Sequence, residues 1–302
     1  MLYTASILLK KFVRDILIVV VVTALAVSFV VYYTNIHPEK LTDERNPSTL
    51  KMDYENVNFT SATDALALKG WFVPVAAAGS SEPRPTIIVT HGLGLSKAHA
   101  LDWSYYLHDE YNLFLFDFRG HGASEGTVTT FGSRETRDVL GAIEYVKSRD
   151  DADPTRIGIV GYSMGATTAI MTAQVTADIQ AIVADSPYAS LQQELERLYE
   201  KYGIIKKPMA WLTGLWSRAL LQVNPVDVAP AESVKFTTAP MLLMAPEDND
   251  QRSADSAREI YYNALVDDIE LWTVEGDHLA LFASHREEYM RRVTDFLDTH
   301  LE

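Results

Sequence analysis

Six short apolar runs recur between residues 86 and 274: Thr86–Thr90, Leu113–Asp117, Ile157–Gly161, Ala181–Asp185, Met241–Ala245 and Ile269–Val274. Helical periodicity fills several of the gaps, as over Ser133–Ser148, where Val139, Ile143 and Val146 share one face. Strands that alternate with helices need crossover connections. The expected fold is therefore α/β, a mostly parallel central sheet with helices on both faces. Two earlier runs, YENVNFT and LALKGWFVPV, read as an antiparallel pair around a turn at Ser61–Asp64.

The chain has 302 residues, ample for one large domain. Its formal charge of −15 gives an acidic surface that repels phosphate backbones, so nucleic acid is not an expected partner. It contains no cysteine, which excludes disulfides, thiol nucleophiles and Cys-ligated zinc. Nothing in the pattern speaks to oligomeric state.

The segment Ile16–Tyr33 carries no charge, proline or glycine. As a helix it is about 27 Å long, enough to cross most of a bilayer's hydrocarbon core. Lys10, Lys11 and Arg14 precede it, while Glu39, Asp43 and Glu44 follow. That asymmetry predicts a single-pass cell-membrane protein, its N-terminus cytoplasmic and its main domain outside. Tyr32 and Tyr33 suit the far interface. Ala24-Leu25-Ala26 has the form of a signal-peptidase site, but strongly apolar sequence continues through Val31, which favours an uncleaved anchor.

The chain then divides into a stub and anchor (1–35), a polar connector (36–51) and a main domain (52–302). Within the last, residues 191–234 interrupt the strand–helix rhythm with a helical stretch in which Trp211, Leu212, Leu215, Trp216, Leu220 and Leu221 cluster. Two readings stand: a helix pair packed on the sheet, or a small lid over an apolar substrate pocket lined by Trp211 and Trp216.

One junction carries chemistry. The strand Arg156–Val160 runs into Gly161-Tyr162-Ser163-Met164-Gly165, and helix-compatible residues follow from Ala166. A sharp strand-to-helix turn there projects a serine hydroxyl above the sheet edge, with small flanking residues because side chains would collide. The following helix aims its first N–H groups at the same place. A serine hydroxyl needs a base, and His278, just past the last strand run, is the best placed. In an open parallel sheet the carboxyl ends of the strands share one crevice, so Ser163 and His278 can meet there. The backbone N–H groups of Met164 and of Leu93, in the loop THGLGLS, are candidate oxyanion donors. His91, Gly92 and Tyr162 are candidate substrate contacts beside them.

These segments, together with FDFRGHGASEG (Phe116–Gly126), ADSPYAS (Ala184–Ser190) and GDH, resemble the α/β-hydrolase superfamily. More closely, they look like membrane-anchored bacterial serine hydrolases with a short lid. The resemblance covers about Met52 to the end and implies hydrolase chemistry without a metal or organic cofactor. It also implies an acid after the penultimate strand. The usual slot falls on Asn249, with Asp248 and Asp250 on either side, and Asp185 is a more distant candidate. A flanking aspartate is the expectation.

The function so implied is hydrolysis of an ester, thioester or amide, on small or acyl-lipid-like substrates at the membrane surface. A reading of another class is a catalytically silent hydrolase-fold module tethered to the membrane, for which the displaced acid is the main support.

Overall fold

The structure is a computed structural model, and it describes residues 2–41, 45–76, 82–247, 252–277 and 281–302. The chain opens with helix α1 (Leu2–Ile36), then strands β1 (Glu55–Thr60), β2 (Ala67–Val73) and β3 (Arg84–Thr90). Next come α2 (Lys97–Ser104), β4 (Asn112–Phe116), α3 (Glu135–Lys147), β5 (Ala152–Tyr162), α4 (Met164–Ala173) and β6 (Ala181–Asp185). Helices α5 (Leu191–Arg197), α6 (Lys206–Trp216) and α7 (Pro230–Ser233) precede β7 (Met241–Glu247) and α8 (Arg252–Asn263). The chain ends with β8 (Ile269–Glu275), α9 (Leu281–Ser284) and α10 (Arg286–Leu301).

Among the described residues, eight strands form one sheet in the order β1-β2-β4-β3-β5-β6-β7-β8. The first two pairings are antiparallel and all the others parallel. All six apolar runs are strands of this sheet, and the leading pair forms as the alternation predicts. The reason is visible in the central strands, which bury both faces. Ile88, Phe114, Ile159 and Ile182 face one apolar layer together with Val139 and Ile143 of α3. Their neighbours Ile87, Leu113, Val160 and Val183 face the other, against Leu101 of α2 and Leu297 of α10. Side chains of period two on a doubly covered sheet leave no polar face.

The segment 191–234 forms a separate layer. Leu191, Leu195 and Tyr199 pack with Met209, Ala210 and Val223, and the same cluster takes in Ala24 and Val31 of α1. The helix α1 is thus apolar enough to be a candidate membrane span over Ser6–Ile36, yet its second half belongs to the folded body. Tyr32 is 3% and Ile36 5% exposed, against 64% for Val19. Tyr32 therefore packs on protein, which replaces the expectation that it sits at a lipid interface.

The connector is fastened as well. Lys40 Nζ donates to the Ser124 carbonyl at 2.6 Å, and Arg45 pairs with Asp102 at 3.0 Å. Asn46 caps a 3₁₀ turn over Pro47–Leu50.

Candidate active site

The turn after β5 is as tight as its glycines require. Ser163 has φ 51° and ψ −113°, a region that costs a residue with a side chain about 1–3 kcal/mol. A Cβ at Gly165 would lie 2.5 Å from the Thr90 carbonyl oxygen, and one at Gly161 2.7 Å from the Ala166 nitrogen. Both flanking positions are closed to any other residue, because β3 and the first turn of α4 occupy that space. Ser163 N–H donates to the Asp185 carbonyl at 2.8 Å, tying the turn to the end of β6.

The loop after β3 abuts this turn. A Cβ at Gly92 would stand 3.3 Å from Ser163 Cβ and 3.0 Å from the Tyr162 ring. Ser163, Met164 and Leu93 line one cavity of about 190 Å³, so the serine and the two candidate oxyanion donors share a space. Its other walls are mostly apolar, with Glu194, Thr213 and Ser217 as polar members. Phe131 and Tyr188 close one side, Leu191, Leu195 and Leu198 come from the 191–234 layer, and Val31, Tyr32, Asn35 and Ile36 come from α1.

Four of the candidate substrate contacts lie outside this cavity in the structure. His91 is fully buried and does not reach the cavity. Its Nδ1 donates to the Gly92 carbonyl at 2.8 Å and its Nε2 accepts from Phe118 N–H at 3.1 Å. Burial, with His121 nearby, pushes its pKa down to about 3, so it is a neutral brace for the loop. Trp211 is more than half exposed and lies off the cavity. Trp216 also lies off it. Its Nε1–H donates to Ser28 Oγ at 3.1 Å, and its ring meets Phe29 edge-on at 5.2 Å, so it grips α1. Tyr162 turns away from Ser163's cavity and lines a second one, of about 300 Å³, with Trp103, Asp185 and Phe282.

His278, Asp248, Asn249 and Asp250 lie outside the described residues. The strands that lead to them are described. β5, β6, β7 and β8 run parallel and side by side, so Ser163, Asp185 and the segments after Glu247 and Glu275 all leave the sheet at one edge. Asp185 is buried, and its carboxylate accepts from Ser186 Oγ at 2.7 Å. Burial pushes its pKa up to about 7, the hydrogen bonds only partly opposing it.

Several residues that hold the site have no role assigned from the sequence, although Asp117 and His121 lie within FDFRGHGASEG. Glu135 folds back from the start of α3 to accept from the N–H groups of Thr130 and Gly132 at 2.8 Å and from both threonine hydroxyls, at 3.0 Å from Thr129 and 2.6 Å from Thr130. This fixes Phe131, itself at φ 53°, as a cavity wall. His121 accepts from Gly94 N–H at 3.2 Å and donates to the Arg119 carbonyl at 2.9 Å, bracing the Leu93 loop from behind. Burial lowers its pKa too. Lys97 pairs with buried Asp117, whose carboxylate also accepts from Ala123 N–H at 2.9 Å.

The overall fold is shared with known proteins. A family model described as the alpha/beta hydrolase family matches residues 87–292. The chain belongs to the alpha/beta hydrolase family. The uncharacterized protein YfhR of Salmonella typhi is 29% identical over 262 residues, covering 82% of each chain. The Pyrococcus furiosus esterase Pf2001 superposes with a TM-score of 0.72 at 24% identity, over 88% of this chain and 98% of the esterase. The acylaminoacyl peptidase of Pyrococcus horikoshii matches 84% of this chain but only 43% of its own, with TM-score 0.63 and 18% identity. At that identity both solved structures speak for the fold of this alpha/beta hydrolase alone.

Proposed function

We propose that this alpha/beta hydrolase is a serine hydrolase, cleaving carboxylic esters, thioesters or amides through an acyl-enzyme. Ser163 Oγ attacks the carbonyl carbon while His278 takes its proton. The N–H groups of Leu93 and Met164 hold the developing oxyanion. The leaving group departs with the proton from His278, and water repeats the sequence to release the acid. Asp248 or Asp250 orients the imidazole. The observation that carries this reading is the strained backbone of Ser163 beside an apolar cavity that Leu93 and Met164 also line.

Reach supports the pairing with His278. Neighbouring strands stand about 4.8 Å apart, so β5 and β8 are about 14 Å apart. Three extended residues can span about 10 Å, so a histidine three positions past Glu275 has the reach. The apolar cavity and the apolar α1 together favour acyl or lipid-like esters at a membrane surface, with α1 as an uncleaved anchor.

The test is labelling with a fluorophosphonate probe and turnover of p-nitrophenyl esters. Wild-type protein labels and turns over, and Ser163→Ala does neither. Absence of both in the wild type would support the silent tethered module instead. Comparing Asp248→Ala, Asp250→Ala and Asp185→Asn identifies the acid as the variant that loses several orders of magnitude in kcat.

A further inference from the structure

We infer that the N-terminal helix is a working wall of the substrate cavity, and that Val31 and Ile36 select the length of the acyl chain that Ser163 accepts. This rests on the serine hydrolase reading. It goes beyond a tether, because a tether need only be connected to the domain. Here the end of α1 is built into the site.

Three fastenings hold it there. The Ile36 carbonyl accepts from the Thr129 N–H at 2.9 Å, on the same loop that carries Phe131. Trp216 of α6 holds Ser28, one helical turn before the lining residue Tyr32. Lys40 secures the chain beyond the helix. Ser28, Tyr32 and Ile36, spaced four apart, form one buried stripe, which is the helical face that turns toward the domain. Val31 joins the apolar cluster of the 191–234 layer and lines the cavity as well.

The chemistry of the ligand follows from the walls. Val31, Ile36, Leu191, Leu195 and Phe131 outnumber the polar Glu194, Thr213 and Ser217 on the wall, while Asn35 turns its amide to the Val31 carbonyl of its own helix at 2.8 Å. Such walls suit an unbranched hydrocarbon chain. A dry cavity of roughly 150 Å³ admits a molecule the size of benzene. The 190 Å³ here therefore suits a short to medium acyl group. Longer chains would have to displace α1.

The experiment uses the full-length protein with p-nitrophenyl acetate, butyrate, octanoate and palmitate. Val31→Phe should lower kcat/KM for octanoate at least tenfold more than for acetate. Val31→Ala should move the optimum toward longer chains. A profile unchanged in both, with Ser163→Ala inactive, overturns the inference while leaving the serine hydrolase intact. Activity surviving in Ser163→Ala would instead overturn the reading on which it rests.

A second measurement does not depend on how these variants fold. The chain has no cysteine, so Asn35→Cys introduces a single thiol at the cavity wall. An octyl fluorophosphonate on Ser163 should slow maleimide labelling of that thiol at least fivefold, and a methyl analogue should not. Equal labelling rates for the two adducts would refute the placement of the chain against α1.

Discussion

Ser163 N–H donates to the carbonyl of Asp185 over 2.8 Å, so the strained turn at Ser163 and a residue with a buried carboxyl group share one backbone link across β5 and β6. Asp185 is 4% exposed, and burial favours the neutral form of its carboxyl group.

Asp185 should make the protein less stable as pH rises. Its pKa is raised in the folded state, from 3.8 to about 7, so its contribution is whole below pH 3.8 and is lost as pH climbs through 7. Asp185→Asn should stabilise the protein at pH 8, by at most about 4 kcal/mol, and change little at pH 4. Chemical denaturation at the two pH values checks this. An equal effect at both would show that the carboxyl is ionised throughout.

His91 carries the opposite sign. Its pKa falls from 6.5 to about 3 on folding, so stability is present above pH 6.5 and is lost as pH drops toward 3. Across that window it adds up to about 1.4 kcal/mol per pH unit to the acid sensitivity. His91→Leu should flatten the slope by about one proton. It should also cost about 1–3 kcal/mol at pH 7, because Phe118 N–H loses its buried acceptor.

Two glycines near the site should fail for different reasons. Gly165→Ala drives a Cβ to 2.5 Å from the Thr90 carbonyl oxygen and should cost more than about 3 kcal/mol, with loss of probe labelling at Ser163. Gly94 has φ +71° but open space around a Cβ. Gly94→Ala should cost only about 1–2 kcal/mol, set by backbone conformation. Melting temperatures of the two variants measure the difference, and comparable losses would contradict the packing account.

Arg119 joins distant parts of the chain behind the site. It reaches Asp138 at 2.6 Å, Asp64 at 2.8 Å and Ser61 Oγ at 2.8 Å. Asp64 is itself partly buried, which opposes ionisation, yet Arg119 and Ser61 hold its pKa down to about 2. Arg119→Met should cost about 3–5 kcal/mol, since it leaves buried Asp138 without its cation. Equilibrium unfolding provides the number, and a loss under about 1 kcal/mol would show that Asp138 is satisfied without Arg119.

Much of this protein is written in local pattern. The apolar strand runs, the helix around Val139 and Ile143, and the glycine-flanked Ser163 each follow from residues within a dozen positions of one another. Periodicity and steric limits act at that range, so the sheet, the elbow and the cavity loop at Leu93 could be read directly. What tertiary structure decided involves partners far apart in the chain. Whether Tyr32 meets lipid or protein depends on Thr129 and Trp216, which position Ile36 and Ser28. Whether His91 touches substrate or braces a loop depends on Phe118. No local pattern encodes such pairings, because their energy comes from burying surfaces that approach only once the sheet has formed.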